Sequence, residues 1–87
     1  MKLKYQFFIQ ELNGRYAAVA AGKDAGKFNG VLMVNEHGKA ILENLQNEIT
    51  REELIAALAR QFDADEASVS ASVDAFTAKL SSQDLLA

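Results

Sequence analysis

Eighty-seven residues with 49 % hydrophobic and 24 % charged side chains are enough for one small folded domain, and at this length folding buries only about 60 to 65 % of the chain surface. Nine Lys and Arg against twelve Asp and Glu leave a net charge of -3, which argues against nucleic-acid binding, where clustered cations must neutralise phosphates. Cysteine is absent, which excludes disulfides, iron–sulfur ligation, thiolate zinc sites and cysteine nucleophiles.

Tyr5 to Leu12 reads as a strand with Phe7 and Ile9, together with Tyr5, on one side and Gln6, Phe8 and Gln10 on the other, Phe8 breaking the strict alternation. Asn13-Gly14 follows. This pair suits a two-residue type I′ turn, which needs positive φ at both positions, so Arg15 to Ala21 is expected to return as a second strand. A polar, Gly-punctuated loop from Gly22 to Asn29 precedes the apolar run Gly30-Val31-Leu32-Met33-Val34, a third strand.

Asn35 can cap a first helix by accepting from the N–H of Gly38, and Ile41, Leu42 and Leu45 give that helix a buried face to about Gln46. Thr50-Arg51-Glu52-Glu53 has the form of a capping box and starts a second helix, whose apolar Leu54, Ile55, Leu58, Ala59 and Phe62 recur at steps suited to one face. Asp65 caps a third helix with the stripe Val69, Val73, Phe76 and Leu80. Ala67, Ala71, Ala75 and Ala78 occupy its other side, where high helix propensity explains them most simply. The expected fold is therefore α+β and winged-helix-like, a three-stranded antiparallel sheet followed by three helices in a single domain over residues 1–87. Expected core residues are Phe7, Ile9, Tyr16, Val19, Leu32, Val34, Ile41, Leu45, Ile55, Leu58, Phe62, Val69, Val73, Phe76 and Leu80.

Catalytic chemistry finds little support. His37 is the only histidine, and one imidazole beside Glu36 is a weak catalytic or metal signal, more simply a surface or capping-turn residue. The acidic groups Glu52-Glu53 and Asp63, Asp65, Glu66 sit where helix N-termini favour negative charge, and the second lacks the continuation of a calcium loop. The Gly22 to Gly30 segment lacks a Gly-Lys-Ser/Thr phosphate loop. No metal or cofactor is expected. No apolar stretch has the roughly 18 residues of a membrane-spanning helix and the first residues do not form a signal peptide, so a cytoplasmic protein without membrane contact is expected.

From Phe28 to Leu45 the sequence, with Asn35-Glu36-His37-Gly38 between strand and helix, resembles the PqqD-like family. The resemblance continues through Ile49 to Leu54, Phe62 to Asp65, Val73-Asp74-Ala75-Phe76, Leu80 and Leu85-Leu86, about two-thirds of the chain. Order and spacing carry it, since each capping signal alone is general. Three positions depart from the family: His37 where a small polar residue is common, Ser72 where an acid is frequent, and Gln83-Asp84 where a glycine is usual.

The resemblance implies a compact domain that captures the leader segment of a ribosomally made precursor peptide and presents it to a modifying enzyme, often a radical-SAM maturase, without catalysis of its own. It implies that the leader adds as a strand beside the third strand, at Gly30, Val31, Leu32, Met33 and Val34, with the third helix as a wall. An open strand edge suits such pairing. Val31 and Met33 point one way and Leu32 and Val34 the other, with either pair available to face the guest unless both are buried. On the helix the flank is Ser70, Asp74 and Thr77, the set favoured here, or Ser72 and Lys79. The competing readings are a winged-helix DNA-binding regulator, disfavoured because Lys79 is the only cation between Asp65 and Ser82, and a general protein-interaction subunit. A monomer or a weak edge-paired dimer is expected.

Overall fold

A computed structural model describes residues 1–87. The Asn13-Gly14 pair, with φ of 53° and 81°, closes a hairpin between β1 (Phe7–Leu12) and β2 (Arg15–Ala20), and β3 (Leu32–Val34) joins antiparallel to β2. The sheet order is β1-β2-β3. Three helices follow, α1 (Glu36–Asn44), α2 (Arg51–Phe62) and α3 (Glu66–Ser82), which gives the α+β order expected.

Each helix begins where its cap requires. The Asn35 side chain accepts from the Gly38 N–H at 2.9 Å, and Asp65 accepts from Ser68 N–H at the same distance. Thr50 and Glu53 form the full capping box, the Thr50 N–H donating to Glu53 Oε1 at 2.9 Å and the Glu53 N–H to Thr50 Oγ1 at 3.1 Å. At the far end of α2, Asp63 turns left-handed at φ 50° and stops the helix.

One core fills the space between the inner face of the sheet and the helices. Ile41, Leu42, Leu45, Leu54, Val73 and Leu80 are fully enclosed in it, and Ile9, Tyr16, Phe62 and Phe76 pack around its margin half-buried. Val19, expected inside, lies on the outer face of the sheet opposite Phe8. The inward positions of β2 are Ala18 and Ala20, small residues that leave room for the helices behind them.

Three strand limits differ from expectation, the smallest being that β2 ends at Ala20 rather than Ala21. β1 begins at Phe7 rather than Tyr5, and β3 begins at Leu32, leaving Gly30 and Val31 outside the ladder. Phe28 lies just ahead of the β3 start, its ring meeting Phe7 edge to face at 5.9 Å and lying against Gly30, where a β-carbon would stand 2.9 Å from the ring.

A clasp of the two chain ends adds Leu3 and Leu85 to the core. The Leu3 N–H donates to the Leu45 carbonyl and the Lys4 N–H to that of Leu85, both at 2.8 Å, while Leu3 and Leu86 form a bridge.

Candidate functional site: the outer rim of β3 and the trough beside it

β3 has β2 on one side and no strand on the other. Which of its backbone groups face outward follows from the hairpin. In a two-residue turn the flanking pair, Leu12 and Arg15, exchanges hydrogen bonds, and bonding then alternates along the strand. The Ala21 N–H donates to the Gln6 carbonyl at 2.8 Å, as that alternation requires. Odd-numbered residues of β2 therefore bond to β1, and Tyr16 and Ala18 bond to their partners Val34 and Leu32 on β3. Met33 is left with its N–H and C=O directed to the open rim.

Side chains alternate across the other axis. Leu32 and Val34 point into the core and turn their backbone N–H and C=O toward β2, so of the five strand residues expected to meet a guest these two offer it neither side chain nor backbone bond. Val31 and Met33 are 57 % and 48 % exposed. Together with Phe8 and Val19 they form an apolar strip on the outer face of the sheet. Gly30 is exposed and outside the ladder, with the Phe28 ring across it.

Beside the end of β3 the first turn of α1 is pressed against α3. Gly38 is buried between the two, because a β-carbon there would lie 2.8 Å from Val34 Cβ and 3.0 Å from Phe76 Cε1. Close approach is what requires glycine here, since its φ is not positive. The contact leaves an open trough floored by Gly38 and Ile41 and walled by Asn35 and His37 on one side and by Ser72, Ala75, Phe76 and Lys79 on the other. Lys79 takes part in no ion pair, and neither does Arg15, which lines the surface next to Met33 at the hairpin end of the strand.

The structure does not bring Ser70, Asp74 and Thr77 to this trough. At about 100° per residue these three share the flank of α3 that faces away from Ser72 and Lys79. Asp74 turns to the first turn of α2, where Arg51 donates to both its carboxylate oxygens at 2.8 Å. That pairing holds the Asp74 carboxyl below the usual carboxylate range. Ser70 lines a separate depression with Arg51 and Glu52, its hydroxyl donating to the Ala67 carbonyl at 3.0 Å, and the Thr77 hydroxyl donates to the Val73 carbonyl at 2.9 Å. Of the trough residues, Ser72 and Lys79 are the alternative flank named from the sequence, whereas Asn35, His37, Gly38, Ile41, Ala75 and Phe76 were not among the expected site residues.

Elsewhere no three His, Asp or Glu side chains converge as metal ligands would, and no helix is long and apolar enough to cross a membrane.

Residues 24–86 match the family model described as coenzyme PQQ synthesis protein D (PqqD). A solved structure of TbiB1 in complex with the TbiA(β) leader peptide is similar in fold, with a TM-score of 0.70 at 16 % sequence identity over 99 % of this chain and 94 % of that one. No curated protein sequence matches the chain significantly.

Proposed function

The chain belongs to the PqqD family, and from that membership and the unpaired rim of β3 we propose that it is a non-catalytic domain that binds the leader segment of a ribosomally made precursor peptide by strand addition. The observation that carries the reading is Met33, which points a free N–H and C=O outward on an edge strand beside an apolar trough. The likeness in fold to TbiB1, which was solved with a leader peptide bound, supports it.

In this reading residues 1–87 act as one peptide-binding unit. The guest strand runs along Gly30 to Val34, exchanging backbone bonds with Met33. Its side chains alternate between the outer strip of Val31 and Met33 and the trough walled by Ser72, Phe76 and Lys79. The flank of Ser70, Asp74 and Thr77 stays outside the contact. The protein then presents the bound precursor in the cytoplasm to a modifying enzyme, a radical-SAM maturase being the class we favour, and works as a monomer that pairs weakly through its free edges. DNA binding has less support, because Lys79 remains the only cation on α3.

An NMR titration of ¹⁵N-labelled protein with the precursor peptide encoded beside its gene tests this. The Met33 amide should move most, followed by those of Val31 and of residues 72–79. The rim of β1, where the same alternation turns Phe7, Ile9 and Glu11 outward, is the internal control. Changes centred on β1, or none with the neighbouring precursor, overturn the proposal.

A further inference from the structure

Beyond His37 the trough deepens into a pit of about 100 Å³. Its floor and walls are Ile41, Leu58, Phe62 and Val69, with Ala64 and Ser68 on the lip. Ile41, Leu58 and Val69 are buried core residues, so the floor is fixed by the packing beneath it. The His37 imidazole forms a side wall, edge-on to the Phe62 ring with 4.4 Å between centroids. His37, Ile41 and Ser72 line both the pit and the trough and make them continuous.

The lining selects the occupant. No Lys, Arg, Asp or Glu reaches the pit, so a charged guest group there would lose its hydration and find no counter-ion. The volume suits one branched aliphatic side chain. Continuity with the trough puts it within reach of a strand that has just passed Met33 and Asn35.

On the strand-addition reading, we infer that this pit receives one Val-, Leu- or Ile-sized side chain of the guest peptide, so that Phe62, Val69 and His37 fix residue type at a single position of the leader. Backbone pairing at Met33 sets the register and the pit supplies the discrimination.

Selection of peptides from a random display library on the 87-residue protein tests the inference whatever the natural guest. Selected peptides should share one aliphatic residue at a fixed place, and its replacement by alanine should weaken binding about tenfold or more, the scale at which apolar pockets distinguish methylene groups. Ala64→Leu and Ser68→Leu each place a side chain on the lip from an exposed position, and the Ser68 N–H keeps its cap from Asp65. Both variants should bind the aliphatic and alanine peptides alike while the Met33 amide still shifts. If the wild-type protein already binds the two peptides equally and Met33 still shifts, the pit inference falls and strand addition stands. If no selected peptide moves the Met33 amide, strand addition falls and takes the pit inference with it.

Discussion

Gly38 and Phe76 are in contact at a distance that admits no side chain on the glycine, since a β-carbon would stand 3.0 Å from the ring. Gly38→Ala therefore sets two effects against each other. Alanine favours a helix by up to about 1 kcal/mol over glycine, whereas overpacking costs roughly 1–3 kcal/mol. The second wins, because the new methyl also meets Val34 Cβ at 2.8 Å and neither neighbour is the loose end of a flexible chain. Urea unfolding should show a loss of about 1 kcal/mol with an unchanged m-value, and guest binding should weaken as α3 is displaced from the strand end.

Proline scanning of β3 separates the two roles of its backbone. Met33 directs its N–H to the open rim, so Met33→Pro leaves the bonds to β2 in place, as edge prolines do. The variant should stay folded by circular dichroism and lose about tenfold in peptide affinity, the worth of one hydrogen bond. Leu32→Pro removes a donor to Ala18 and should instead destabilise the fold. Equal binding by Met33→Pro and wild type would remove the rim from the site.

The two flanks of α3 should respond differently to substitution. Asp74→Asn breaks an exposed, solvent-screened ion pair with Arg51 and should leave stability nearly unchanged, with no change in peptide affinity. Lys79→Glu, in the trough, should alter affinity and its salt dependence while leaving stability within about 0.5 kcal/mol. Calorimetric titration of both variants against wild type decides between the flanks.

Asp24 supplies a pH-dependent part of stability. The N–H of Gln6 donates to its carboxylate at 2.9 Å, and with a lesser contribution from Lys27 this lowers its pKa below the ordinary carboxylate value. A carboxylate with a lower pKa folded than unfolded contributes stability that is fully present above the unfolded value, about 4, and is lost as pH falls through the folded value. Stability should therefore drop below about pH 4, where Glu53 and Asp65, lowered by their capping bonds from Thr50 and Ser68, titrate as well. Asp24→Asn keeps an acceptor for Gln6 and should flatten the acid limb of the stability curve without removing it.

Local chemistry was legible in the chain wherever one short segment decides the outcome. Asn13-Gly14 allows few alternatives to the tight turn, and Asn35, Thr50 and Asp65 start their helices through contacts three residues away. What could not be read depends on distant partners. Lys2-Leu3-Lys4 looks like exposed chain until Leu85 and Leu45 close over it, and which flank of α3 meets the strand is undecided until Arg51 takes Asp74 to the other side. Val19 alternates correctly with its neighbours, but it is the small Ala18 and Ala20 that face inward. The open rim was foreseeable from a short third strand. Its single outward residue needed the register.

That register limits what backbone recognition alone can achieve. Within its three residues β3 offers a visiting chain one donor and one acceptor, both on Met33. Two such bonds contribute about 1–3 kcal/mol, well short of the roughly 8 kcal/mol of a micromolar complex. A peptide matched only in its main chain should dissociate too readily to be retained, so tight association demands the correct side chains. The brevity of the strand thus acts as a filter, keeping the edge indifferent to most extended polypeptides it meets.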